Sequence, residues 1–225
     1  MITIEPFNKI AELSPDHICP VGCINDNFTS YGLINEVLNY FNNAPISMVD
    51  LGCAGGQFVA DFISRGCTGI GLEGSSHALF GAGNHNWKKY FNKNLFLCDL
   101  TAPFQLYQDG QPLLLDFIHS SEVLEHIHET QLDTVFENVK KHLKPTGICC
   151  FQISLVDDIR IVDGEQIILH QSVFPAEWWK EKLESHGFSF DVRENSLNDN
   201  IHFGYIFNNK FRNHGGSVFI VCRLK

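Results

Sequence analysis

From residue 46 onward, short unbroken apolar runs alternate with longer segments whose apolar residues recur at helical spacing. Ile46–Leu51 reads as a buried strand, followed by a glycine-rich turn and a helix to Ser64. Thr68–Leu72 and Asn94–Cys98 read as the second and third strands, with a helix reaching about Tyr90 between them. Leu113–Ser120 reads as a fourth strand, and Glu122 to about Leu143 as a long helix. Pro145-Thr146-Gly147 predicts a turn into a fifth strand, Ile148–Ser154. Ala176–His186 reads as a helix closed by Gly187. Phe188–Arg193 and Ser217–Arg223 are the last two strands, and the polar stretch Asn195–Gly216 connects them as an antiparallel hairpin at one sheet edge. Strands without polar interruption are covered on both faces. The predicted fold is therefore α/β: a seven-stranded, mostly parallel sheet with helices on both faces and an antiparallel last strand.

The pattern before residue 46 differs. Pro6, Pro15, Pro20 and Gly22 punctuate it, and Tyr31–Phe41 carries Leu33, Ile34, Val37, Leu38 and Phe41 at helical spacing. This predicts an N-terminal helical lid over residues 1–45 and one α/β domain over 46–225, a size that one core can fill.

Charge narrows the partners. Sixteen basic against 26 acidic side chains give −10 with histidine neutral. Such a surface repels phosphate backbones, so a nucleic-acid partner is disfavoured against a small-molecule or glycan one. Most of the eight cysteines lie in apolar stretches, as small buried hydrophobes in a reducing compartment. MITIEPFNKI lacks the basic-then-apolar pattern of a signal peptide, and no apolar run approaches a membrane span. The expectation is a cytoplasmic protein with no membrane partner.

The sharpest local signal is Val49-Asp50-Leu51-Gly52-Cys53-Ala54-Gly55-Gly56, a strand ending in an acid before a glycine-rich turn that opens a helix. Such a turn lets a ligand approach the backbone, and the helix start offers free N–H donors. The spacing is not the G-x-G-x-x-G of a dinucleotide dehydrogenase. Glu73 closes the second strand, where a carboxylate suits a vicinal diol, and Asp99 closes the third, where it can accept from an exocyclic amine. Acids at the carboxyl ends of consecutive strands describe an adenosine-shaped crevice.

With VDLGCAGGQF, GIGLEG, FLCDL, SSEVLEHI and the HLKPTG turn in this order, the chain resembles the class I S-adenosylmethionine-dependent methyltransferases over about residues 46–225. The resemblance implies their Rossmann-like fold and S-adenosyl-L-methionine as cofactor. It implies that Asp50 orients the methionyl amino group, that Gly52, Ala54 and Gly56 pass under the cofactor, and that Glu73 binds the ribose hydroxyls. It also implies that Asp99 and the Leu100 backbone hold adenine, and that Ser121 and Glu122 line the methionine side. Ala54 departs from the glycine that many relatives carry.

Two features bear on the acceptor. On a helix, Glu122, Glu125 and His126 would share one face, an oxygen-rich place for a divalent cation such as Mg²⁺ or Mn²⁺. His170, in the loop after the fifth strand, is the fourth expected ligand. A similar pattern occurs in ubiquinone-pathway O-methyltransferases and small-RNA 2′-O-methyltransferases, which act on a hydroxyl of a vicinal diol. Without a metal, His126 or His170 is the natural general base, while the glutamates are helix-start residues. His119 is a weaker candidate, His128 a solvated helix residue, and Trp178 and Trp179 core. The expected activity is methyl transfer to a hydroxyl of a small or carbohydrate acceptor. The alternatives are N-methylation of an amine or amino sugar, RNA 2′-O-methylation, and a degenerate methyltransferase fold that only binds.

Overall fold

The computed structural model describes residues 1–190, 211–214 and 216–225. The central sheet consists of β1 (Ser47–Leu51), β2 (Thr68–Glu73), β3 (Leu95–Leu97), β4 (Leu115–Ser121), β5 (Leu143–Ser154), β6 (Phe188–Ser189) and β7 (Ser217–Leu224). Their order is β3-β2-β1-β4-β5-β7-β6. β3, β2, β1, β4 and β5 pair in parallel, while β7 runs antiparallel to both β5 and β6. The strand Phe211–His214 adds to the outer edge of β7 as the near arm of a hairpin. The expected α/β architecture with an antiparallel last strand is thus present. Of the predicted sixth strand, residues 191–193 lie outside the described residues, as do residues 195–210 and 215 of the polar connection.

Alternation along each strand divides the apolar side chains between two layers. Val49, Ile118 and Cys149 face one side, where they meet α5 (Glu129–His142) and α6 (Ala176–Ser185) through Val135, Phe136 and Trp179. Met48, Phe117 and Cys150 face the other, where α2 (Tyr31–Tyr40) and α3 (Gln57–Ser64) cover them with Ile34, Val37 and Phe62. α4 (Asn84–Tyr90) buries Trp87 against Val59 and Leu95. All eight cysteines are free, and seven are buried, as their apolar surroundings predict. Trp179 is fully buried in the core, with Trp178 packed edge-on against it.

Residues 1–45 hold the short helix α1 (Val21–Asn25) and α2, and they also contribute a strand. Ile2–Glu5 pairs with Gln105–Gln108, which continues to Gln111–Pro112 in a small antiparallel sheet. A second hairpin pairs Ile159–Val162 with Glu165–Ile168. No described helix is long and apolar enough to cross a membrane.

Two boundaries differ from expectation. The Pro145-Thr146-Gly147 turn is absorbed into β5, with a register shift opposite Leu115–Phe117 and Lys144 paired to the Asp116 carboxylate at 2.9 Å. The helix expected from Glu122 begins only at Glu129, with the exposed His128 imidazole capping it by accepting from the Thr130 N–H. Glu122 adopts φ 55°, a left-handed conformation, and Leu124–His126 form one 3-10 turn. The Glu125 carbonyl, which a helix would offer to the N–H of Glu129, accepts instead from the N–H groups of Gln171 and Ser172 at 2.7 and 2.9 Å. A loop from beyond β5 thus takes the place of the first helical turn.

Candidate functional site

At the carboxyl end of β1 the chain turns through Gly52 to Gly56, both at φ 75°, with Ala54 at φ 42°. A left-handed alanine is uncommon. Here it is held from both sides: its N–H donates to Glu73 Oε2 at 2.9 Å, and its carbonyl accepts from the Trp87 indole at 2.8 Å. Glu73 is buried, and its second oxygen accepts from the Ser75 N–H at 2.9 Å. Burial pushes its carboxyl up to about 7; the two N–H bonds oppose this, and Asp16 and Asp50 add repulsion. Each carboxylate oxygen retains a lone pair for a hydroxyl donor.

The sequence pattern did not reveal what clamps this turn. Gly56 caps α3 without a side chain, and Asn27 supplies one: its Oδ1 accepts from the Gln57 N–H at 3.1 Å and from Asn86 at 3.3 Å. The Gly55 N–H donates to the Asp26 carbonyl at 3.0 Å. Residues 9–11 run along the ends of β2 and β3, with Lys9 bridged to Cys98 and the Ala11 N–H on the Gly74 carbonyl. The N-terminal segment therefore covers the side of the crevice holding Glu73 and Asp99. Asp99 Oδ1 accepts from the Thr101 N–H and hydroxyl at 2.9 and 2.6 Å, and Oδ2 lies 3.9 Å from the Lys9 ammonium. Leu100 is buried, with its carbonyl held by Asn138 at 3.1 Å.

Beside the turn lies a cleft of about 770 Å³, open to solvent. Asp50, Gly52 and Ala54 line it at the glycine turn, His119, Ser121, Glu122, Gln152 and Phe219 line it from β4, β5 and β7, and Asp26 and Phe28 line it from the N-terminal segment. Asp50 and His119 sit opposite each other in the β1–β4 ladder, and His119 Nδ1 lies 2.7 Å from Asp50 Oδ1. The Glu122 carboxylate accepts from Gln152 at 2.9 Å and from the Ser217 hydroxyl at 3.2 Å. The Ser121 hydroxyl donates to Gln152 at 3.3 Å.

Glu125, His126 and His170 come together, with one ligand atom from each within 4.8 Å of the others. Glu122 does not join them, its left-handed backbone turning it toward the cleft; the expected set of three residues on one helix face plus His170 is thereby corrected to a three-residue cluster without Glu122. Glu125 is fully buried: Oε1 accepts from the Ser154 N–H at 2.9 Å, and Oε2 has no partner among the described residues. Burial, reinforced by repulsion from Glu122, pushes its carboxyl up to about 8. His170 Nδ1 donates to the Val156 carbonyl at 2.6 Å, leaving Nε2 as the free nitrogen. His126 Nδ1 lies 3.2 Å from Asp16 Oδ1; burial works against its charge, but the Asp16 hydrogen bond and charge outweigh it and raise the imidazole. This carboxylate and the two imidazoles, each fixed through its Nδ1, are donors that could hold a divalent ion. The cluster does not line the cleft, but Ser154 follows the lining residue Gln152 by two positions on the same face of β5, about 7 Å along the strand.

A methyltransferase-domain family model matches residues 27–195. None of the curated proteins compared matches the chain. Among solved structures, the PH0226 protein from Pyrococcus horikoshii OT3 is similar at 15% identity over 93% of this chain and 99% of that one, with a TM-score of 0.59. The Burkholderia thailandensis 1,6-didemethyltoxoflavin-N1-methyltransferase is 12% identical over 86% and 77%, at a TM-score of 0.55. A glycopeptide N-methyltransferase, MtfA, complexed with sinefungin, is 13% identical over 89% and 96%, at 0.53. These likenesses establish a shared fold. With the family model covering most of its length, the chain belongs to the class I S-adenosylmethionine-dependent methyltransferases.

Proposed function

We propose that the protein transfers the methyl group of S-adenosylmethionine to a hydroxyl of a small or carbohydrate acceptor. The observation that carries this reading is the continuous cleft from the glycine turn to the polar floor of Ser121, Glu122 and Gln152. In it the methionyl end lies at Asp50, over Gly52, Ala54 and Gly56, with Ser121 beside it. The ribose meets Glu73, and adenine lies near Asp99 and Leu100. The N-terminal segment acts as the lid, since Asp26 and Asn27 brace the turn while Asp26 and Phe28 line the cleft.

The acceptor enters against Phe28 and Phe219 and donates to Gln152 and Glu122. Methyl transfer forms a carbon–oxygen bond while the carbon–sulfur electron pair returns to sulfur, and the hydroxyl proton must leave. His126 and His170 each keep Nε2 free in the cluster near that floor, and His170 is the base. His126, raised by Asp16, holds its own proton more firmly. Alternatively, Glu125, His126 and His170 would hold a divalent ion, which lowers the pKa of a bound hydroxyl and would take the place of His170 as base. Two imidazoles and one carboxylate suit Mn²⁺ or a later first-row ion better than Mg²⁺, which favours oxygen.

N-methylation is the second reading. Glu122 and Asp26 give the cleft a negative lining that attracts amines, and two of the structural neighbours are N-methyltransferases. The test is a panel of paired sugars and amino sugars, with methyl-labelled cofactor, in chelator and in Mn²⁺. Label on the hydroxylated members that is lost in chelator supports the first reading. Label only on amines, unaffected by chelator, replaces it with the second.

A further inference from the structure

The cleft poses an electrostatic question that its acids do not answer. The methionyl end of the proposed cofactor carries an ammonium and a carboxylate. The lining side chains include the carboxylates of Asp26, Asp50 and Glu122, which suit the ammonium and oppose the carboxylate. Among the described residues that line it there is no lysine or arginine, and His119 is the one side chain there able to carry positive charge.

Its setting is fixed. His119 is buried, packed against the ring of Phe58 at 4.5 Å between centroids, and tied through Nδ1 to Asp50 Oδ1 at 2.7 Å. With Nδ1–H donating to Asp50, Nε2 is the nitrogen left for the cleft. It has no hydrogen-bond partner among the described residues, yet it is not one of the sealed, unpartnered polar atoms. Asp50 Oδ2 stands likewise. The pair thus presents one acceptor and one donor side by side, the mirror image of an amino-acid zwitterion.

Resting on the cofactor placement above, we infer that Asp50 and His119 act together as an amino-acid clamp. Asp50 Oδ2 accepts from the ligand's ammonium while the His119 imidazolium donates from Nε2 to its carboxylate. His119 is then a cofactor-binding residue that selects for an intact amino-acid tail.

Calorimetry with two probes tests this. S-adenosylhomocysteine carries the tail, and 5′-methylthioadenosine has the same thioether nucleoside without it. His119→Asn keeps a donor toward Asp50 and cannot reach the Nε2 position; His119→Gln places a neutral donor at that position. The expected result is roughly a tenfold to hundredfold weaker affinity for S-adenosylhomocysteine in His119→Asn, a smaller loss in His119→Gln, and unchanged 5′-methylthioadenosine affinity in both. Undiminished S-adenosylhomocysteine affinity in both variants overturns the clamp, as does an equal loss for the two probes. If His119→Asn fails to fold, His119→Gln carries the same comparison. Wild-type protein that binds 5′-methylthioadenosine and S-adenosylhomocysteine equally well overturns the clamp but keeps the cofactor site, whereas binding of neither overturns both.

Discussion

Replacing Glu73 by glutamine probes the turn without any ligand. In the native protein this carboxyl titrates near 7, against an ordinary 4.5, because burial penalises its charge more than the Ala54 and Ser75 N–H groups reward it. A carboxyl raised on folding binds its proton more tightly in the native state. Its stabilising contribution is therefore complete below about 4.5 and is lost as the pH rises through about 7. Between about pH 5 and about pH 8 the loss from this one group integrates to roughly 2.5 kcal/mol. Glu73→Gln cannot titrate. Its amide oxygen still accepts from one backbone N–H, while its NH₂ opposes the other at a cost of about 1–3 kcal/mol that is independent of pH. Urea unfolding of both proteins across this range should show their difference narrowing or reversing toward alkaline pH by about 2.5 kcal/mol, with equal slopes in denaturant. Other groups titrate in both proteins and cancel. Parallel stability profiles would refute the assignment of a buried, protonatable Glu73 to the floor of the turn.

Three further outcomes follow from named contacts. Asn27→Ala removes the side-chain cap from α3 and should cost about 1 kcal/mol by thermal unfolding, with faster amide exchange at Gln57; full retention of both would show that the cap is idle. Asp16→Asn should lower the His126 pKa, followed by the imidazole proton resonance. Because a raised imidazole contributes stability below 6.5 that fades as pH passes its native value, the variant should be more destabilised near pH 6 than near pH 9. Mn²⁺ or Zn²⁺ should raise the melting temperature of the wild type but not of Glu125→Gln or His170→Ala, and equal shifts in all three would remove the cluster as a metal site.

The sheet was readable because β1 to β5 are covered on both faces and so appear as unbroken apolar runs. The two small hairpins were missed, although each carries an Asp-Gly turn. Asp109-Gly110 and Asp163-Gly164 have φ of 51° and 79°, and 53° and 85°, the doubly left-handed pattern that this dipeptide favours. Their strands are short and partly exposed, so the hydrophobic pattern alone was faint, but the turn chemistry was available. The E-x-x-E-H segment failed for another reason. Its spacing is helical, yet backbone N–H groups more than forty residues downstream claim the Glu125 carbonyl, and periodicity within a segment cannot register that competition.

The same distinction runs through the site. Asp50 and Glu73 lie at the ends of β1 and β2 and Asp99 two residues past β3, and all three follow from local pattern, because a parallel sheet brings its carboxyl ends to one edge. What each acid touches depends on register and on the N-terminal segment. Asp50 and His119 are 69 positions apart, and nothing in either segment announces the pair. Once β1 and β4 are adjacent and aligned Asp50 to His119, both side chains must leave the sheet on the same face at the same height. A histidine that reads as incidental beside the conspicuous E-x-x-E-H motif is placed by the ladder against the motif's most telling acid. Asp16 reaches His126 and Asn27 reaches the start of α3 in the same manner, across distances that only the folded N-terminal segment closes. The chemistry at the acceptor end therefore depends on residues before position 46, and substitutions there should alter cofactor affinity although they lie outside every strand of the central sheet.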